Sequence, residues 1–196
     1  MRIATNKDYT LVCNILSEAF LYNPSVNWVV NKKEREKRIV KLVKYSVSKC
    51  LREGTVLISG NEKGAALYFL PRKSKFSISE IWGQIQLAFQ VIGIFRVNEI
   101  LKRESFIKKQ KLQVPHLYFW YLGVMSNARD GEASKELRDY VFQIAKKNQL
   151  PILLETSEPR NIKTYERMGF ETYSKWGIQS KKMNIWFMKR DFIRSN

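Results

Sequence analysis

The segment from His116 to Thr156 constrains the fold more than any other part of the chain. His116 to Val124 is apolar or aromatic on both faces, the pattern of a central strand covered on both sides. Leu137, Tyr140, Val141, Ile144 and Ala145 then recur at i, i+3, i+4, i+7 and i+8. Lys135, Glu136, Arg138, Asp139, Lys146 and Lys147 fill the opposite side, so the spacing predicts a strongly amphipathic helix. Pro151 to Thr156 predicts a second buried strand. Two buried strands joined through one helix make a parallel crossover, which needs a sheet with helices laid on its faces.

The flanking sequence supplies further layers. Arg2 to Ala4 predicts a short first strand, and Asn6 is the expected cap of a helix over 7–21. A helix over 33–52 follows, with Ile39, Val40, Val43, Val47, Cys50 and Leu51 on one face and Gly54 at its end. Strands are expected at 55–59 and 64–70, and a helical pattern covers 77–111 with a break near Gly93. A short helix over 161–168 ends at Gly169, where a left-handed cap is needed, and strands near 170–176 and 184–190 complete the chain. The expected fold class is α/β (α+β): a mixed, largely antiparallel sheet of six to seven strands with a parallel central pair, flanked by helices. Residues 1–196 form one domain in this reading, with 77–111 a helical insertion between strands.

Composition excludes several classes. Cys13 and Cys50 both sit in helical patterns and His116 is the only histidine, so no disulfide framework, CxxC pair or histidine-rich metal site is expected. The N-terminus turns polar before a signal peptide can form. The longest apolar stretch, Ile81 to Phe95, carries Gln84, Gln86 and Gln90 and is too short for a bilayer, so a soluble cytoplasmic protein without a membrane role is expected. The net charge of +17 attracts anions. Seven basic residues against two acidic ones between Lys32 and Lys44 lie opposite that helix's apolar side, the pattern of a solvated face. With no aromatic RNA-binding stripe and no zinc-finger spacing, no specific nucleic-acid partner is expected.

Two segments carry chemistry. In the junction Leu122-Gly123-Val124-Met125-Ser126-Asn127-Ala128-Arg129-Asp130-Gly131-Glu132-Ala133-Ser134, small Gly131 and Ala133 let the backbone N–H groups of a helix start approach an anion such as phosphate. Downstream, Asn161 and Tyr165 are four apart on one face of a short helix, and a phenol at the end of a buried strand can donate a proton.

Together these segments resemble the GNAT superfamily of acyl-CoA N-acyltransferases. Ala128 to Ala133 is similar to its Q/R-x-x-G-x-G/A element, and Asn161 to Phe170 to its N-x-x-x-Y-x-x-x-G-F element. His116 to Val124, with Ala66 to Pro71, resembles the branch that contains puromycin acetyltransferase. The chain departs from the pattern at Ala128, where Gln or Arg is usual, and at the acidic Asp130 and Glu132. The resemblance implies that Leu122, Gly123 and Val124 pair their backbone with the pantetheine arm of acetyl-CoA. It also implies that Arg129, Asp130, Gly131, Glu132, Ala133 and Ser134 hold the pyrophosphate, and that Asn161 fixes the pantetheine or a water. Tyr165 would then protonate the leaving thiolate, and Glu155 or His116 would serve as general base. The implied activity is transfer of an acetyl group from acetyl-CoA to a primary amine of a small molecule or peptide, without a metal, by a monomer or homodimer. A GNAT-fold acyl-CoA-binding module with little or no turnover is the alternative, motivated by Ala128, Asp130 and Glu132; a basic nucleic-acid binder comes third.

Overall fold

The structure is a computed structural model that describes residues 1–30, 32–71, 105–106, 109, 114–128, 131–178 and 183–192. Its strands are β1 (Arg2–Ile3), β2 (Thr55–Ile58), β3 (Gly64–Phe69), β4 (Leu117–Val124), β5 (Ile152–Thr156), β6 (Glu171–Ile178) and β7 (Met183–Arg190). The helices of the described residues are α1 (Tyr9–Phe20), α2 (Pro24–Val29), α3 (Arg35–Glu53), α4 (Glu132–Lys147) and α5 (Pro159–Arg167). The seven strands form one sheet in the order β1-β2-β3-β4-β5-β7-β6. Only β4 and β5 run parallel; the other pairs are antiparallel. The crossover expected from residues 116–156 is therefore present, with α4 as its helix.

The alternation along each strand divides the apolar residues between two layers. On one face Val12, Ile15 and Leu16 of α1 and Ile39, Val43 and Val47 of α3 pack with Ile58, Leu67, Ile185 and Phe187. On the other, Leu137, Val141 and Ala145 of α4 pack with Leu117, Phe119, Ile152, Leu154, Phe170 and Met188, and Ile162 and Tyr165 of α5 lie against them. Gly123 lets α1 approach β4: a Cβ there would lie 2.8 Å from Ala19 Cβ and 2.9 Å from Leu16 Cδ2.

Two local expectations need correction, and one helix was not foreseen. The first helix is capped by Thr5, not Asn6. Thr5 is extended and exchanges bonds with Asp8, while Asn6 already lies in a short 3-10 turn that precedes α1. Between α1 and α3 lies a helix that was not expected: Asn23 Oδ1 accepts from the Val26 amide (3.1 Å) and Pro24 opens α2, a helix of six residues. α3 begins two residues later than expected, after Glu34 in a left-handed conformation at φ 52. Gly169 does take the left-handed conformation its position demands, at φ 84. Most of the helical pattern at 77–111 lies outside the described residues. Among the described residues no helix is long and apolar enough to cross a membrane, and no cluster of His, Cys, Asp and Glu is placed to hold a metal ion.

Candidate active site

The site arises where the parallel pair comes apart. Leu117 pairs with Ile152 and Tyr118 with Leu153, and the β4–β5 ladder stops there. Against β3, Tyr121 pairs with Leu67 and Phe119 with Tyr68, so Trp120 is an extra residue on β4. Such a bulge bends its strand and increases its twist. It also breaks alternation, so that Trp120 and Tyr121 both pack on the α1–α3 side while Phe119 and Leu122 pack on the α4–α5 side. Beyond Tyr118 no strand among the described residues continues the β4–β5 ladder, and a cleft of about 150 Å³ opens between Trp120 to Leu122 and Leu154 to Ser157.

The cleft passes through the sheet and takes side chains from both layers. Asn161 and Tyr165 of α5 reach it from one side, and Phe20 of α1 and Val26 of α2 from the other. Tyr165 is half-buried against Phe170, with ring centroids 5.5 Å apart, and burial pushes its phenol above the ordinary value of 10. Glu155 also lines the cleft. Its neighbours Ile152 and Leu154 face α4, so alternation turns Glu155 toward the α1–α3 side, and its partner across the ladder, Phe187, belongs to that layer. Glu155 and Tyr165 thus approach the gap from opposite faces.

His116 stands apart from this group. It precedes β4 at the closed end, where β4 and β5 still pair, its Nδ1 lies 2.8 Å from the Val114 carbonyl oxygen, and it is not among the residues around the cleft. Sequence proximity to β4 suggested it; the strand's length of eight residues carries it away. Of Leu122, Gly123 and Val124, Leu122 lines the cleft, while Gly123 is packed against α1. All three are paired to β3 through Ala66, Ala65 and Gly64, which leaves their other backbone edge for a bound chain.

The turn after β4 leads directly into α4. Gly131 caps this helix at φ 92, and nothing lies within 4 Å of where a Cβ would sit, so the backbone there is open to solvent. Ala133 also has a packing role. It is buried against β3, where a Cβ on Gly64 would lie 3.2 Å from its own. Ser134 Oγ donates to the Gly131 carbonyl (2.9 Å), and Glu132 lies in the first turn. Arg129 and Asp130 lie outside the described residues. The Ser126 amide and hydroxyl both donate to Glu18 Oε1 (2.8 and 2.6 Å), tying this turn to α1.

A clasp across the cleft escaped the sequence reading. The Ser25 amide donates to Ser157 Oγ (3.1 Å), and that hydroxyl donates to Asn23 Oδ1 (3.4 Å), so the α1–α2 connection is bonded to the β5–α5 connection. The Glu158 amide donates to Thr156 Oγ1 (3.2 Å) beside it. Asn23, Ser25, Thr156 and Ser157 all line the cleft. Contacts between residues 132 apart leave no trace in local spacing.

No family model matches the chain. It is 28% identical over 178 residues to an uncharacterised N-acetyltransferase of Schizosaccharomyces pombe, covering 84% of this chain and 71% of that protein. Among solved structures it is similar to a Corynebacterium glutamicum protein named histone acetyltransferase HPA2 and related acetyltransferase. The TM-score there is 0.72 at 17% identity, over 100% of this chain and 97% of the other. It is also similar to an acetyltransferase of the GNAT family from Desulfovibrio desulfuricans, with TM-score 0.56 and 12% identity over 97% and 96% of the two chains. The structural likenesses show a GNAT acetyltransferase fold, and the yeast relative is named for the same class of activity.

Proposed function

We propose that the protein is an acetyl-CoA-dependent N-acetyltransferase that acts by direct attack of a primary amine, of a small molecule or peptide, on the thioester. One observation carries this reading: the splayed gap between β4 and β5 receives a phenol from one face of the sheet and a carboxylate from the other. The residues fit acetyl-CoA as substrate. Among the described residues the cleft lining has no Lys, Arg or His, which suits an uncharged pantetheine arm along the unpaired edge of β4. The open backbone at Gly131, at the start of a 16-residue helix, suits the pyrophosphate. Asn161 borders the arm, and residues 129–134 supply N–H groups as the resemblance implies.

The chemistry then divides between the two faces. Glu155 accepts a proton from the incoming ammonium, directly or through water, which frees the nitrogen lone pair. The N–C bond forms as the C–S bond breaks, and Tyr165 gives its proton to the departing thiolate. The second nitrogen proton leaves through water, from which Tyr165 is reprotonated. Holding both reactants in one gap removes much of the entropic part of the barrier. A phenol raised by burial stays protonated until the leaving group needs it. His116 has no role in this scheme.

The same reading makes residues 1–196 one cytoplasmic catalytic domain that needs no metal and acts as a monomer or homodimer. The resemblance to the puromycin acetyltransferase branch places 77–111 as a wall of the acceptor pocket. Phe106 within that stretch supports this placement, since its ring lies 6.1 Å from that of Phe187, the ladder partner of Glu155. Isothermal titration with acetyl-CoA, followed by thiol release over an amine panel, tests the proposal. One site per chain and amine-dependent release of one thiol per acetylated product are expected. Absence of acetyl-CoA binding would refute it, and binding without release on any amine would leave the binding module in its place.

A further inference from the structure

We infer that Glu155 and Tyr173 together seat the ammonium group of the acceptor on the α1–α3 face of the sheet, so that the acceptor is a cation with an apolar or aromatic body and no carboxylate. This rests on the N-acetyltransferase reading and adds to it a binding residue and a substrate class.

Tyr173 stands at a second bulge. On β6, Thr172 pairs with Met188 and Ser174 with Phe187, so Tyr173 is an extra residue. Its ring packs with the α1–α3 layer, 6.2 Å from that of Phe187, and the insertion keeps the next residue, Ser174, on that same face. Phe187 is also the ladder partner of Glu155 on the other side of β7, so the phenol and the carboxylate flank one ring on one face. Burial, and then the negative charge of Glu155, push the phenol of Tyr173 up to about 12. It therefore stays a neutral phenol at neutral pH, and its oxygen is the atom that would accept a hydrogen bond from the ammonium beside the carboxylate.

Aromatic rings continue from this pair. Phe106 contacts both Phe187 and Trp176, at 6.1 and 6.3 Å, and Trp28 meets Trp176 at 5.9 Å. Trp176 pairs with Ile185, which lines the cleft. Glu155 is the one charged side chain among the described residues that line it, in a chain of net charge +17. A buried ammonium needs an opposing charge, and aromatic faces add attraction for it. A carboxylate on the acceptor would meet Glu155 in the same low-dielectric space and be repelled.

Equilibrium binding to CoA-saturated protein tests this without requiring turnover. The probes are 2-phenylethylamine, neutral 2-phenylethanol and phenylalanine, which keeps the ammonium and adds a carboxylate. The amine is expected to bind at least about tenfold more tightly than either comparator. Glu155→Gln should bring the three within about threefold of one another, and Tyr173→Phe should weaken the amine alone by about threefold to tenfold. CoA affinity should stay within about twofold of wild type in both. A purely structural Tyr173 would leave amine binding unchanged, because Tyr173→Phe keeps the ring. Where CoA binds, equal binding of the three probes, no binding of the amine up to about 10 mM, or an unaltered preference in Glu155→Gln overturns the inference and leaves acetyl transfer standing. Failure of CoA to bind overturns both.

Discussion

Removing one oxygen atom from Tyr165 separates the chemical role of this residue from its packing role. The ring lies edge-on to Phe170 at 5.5 Å and belongs to the layer beneath α5, while the residue also borders the cleft. Tyr165→Phe keeps that ring, so stability should change by less than about 1 kcal/mol and acetyl-CoA affinity by less than about twofold. Burial raises the phenol above 10, so wild-type Tyr165 is fully protonated through neutral pH, and the substitution should lower kcat without moving the acidic limb of its pH profile. The expected fall is roughly 10²- to 10⁴-fold for loss of a general acid, or about 2.7 to 5.4 kcal/mol at 1.36 kcal/mol per factor of ten. The assay is thiol release at saturating acetyl-CoA with an accepted amine, with the absence of a product burst showing that chemistry limits the rate. Equal kcat for the two proteins under that condition would reduce Tyr165 to a packing residue. A rate loss matched by a loss of acetyl-CoA affinity would make it a binding residue instead.

Gly123→Ala brings a methyl group to 2.8 Å from Ala19 Cβ, so α1 must shift; a loss of about 1–3 kcal/mol is expected, read as a Tm fall of roughly 2–12 °C. An unchanged Tm would show that α1 yields freely. Ser157→Ala removes the clasp between the α1–α2 and β5–α5 connections and should cost about 1–2 kcal/mol, with a raised KM for the amine, measured by urea midpoint and initial rates. The thiols of Cys13 and Cys50 are both buried, and burial pushes Cys50 up to about 12, so a disulfide reagent at pH 8 should label neither until the protein is unfolded. Because the chain carries +17, acetyl-CoA association should slow as salt rises, and a salt-independent rate in stopped flow would refute capture by the field.

Much of the fold was legible because its signals are local. The run from His116 to Val124, the period of Leu137, Tyr140, Val141, Ile144 and Ala145, and the left-handed demand at Gly169 each depend on residues close in sequence. Helix starts were less legible. Thr5 rather than Asn6 caps the first turn because the cap is decided by which residue is extended, and both residue types are capable. The six-residue α2 is too short to show a period, and its Asn23 reads equally as a turn residue. At the site, the Asn161 to Tyr165 spacing was enough to bring both residues to one cleft, since one helical turn fixes their common face. Alternation left the direction of Glu155 open, and the register against Phe187 settled it. Spacing did not reveal that Ala133 packs against Gly64.

The two features that shape the site most are both single extra residues, which defeats any reading based on a period of two. Trp120 on β4 shifts the strand by one against β3, so alternation before it predicts the wrong face after it. Tyr173 does the same on β6 against β7. Each insertion puts two consecutive residues on the α1–α3 side: Trp120 with Tyr121, and Tyr173 with Ser174 opposite Phe187. The first bulge lies where β4 leaves β5 and opens a gap through the sheet. At the second, a phenol and the residue after it both lie on the face of the sheet that Glu155 occupies. A regular sheet would close this gap with ladder hydrogen bonds and turn Ser174, the residue after Tyr173, to the opposite layer. The departures from regular strand geometry therefore fall at the opening and beside the phenol that the proposed reaction would use, a distribution expected when local rules are broken for a site rather than for stability.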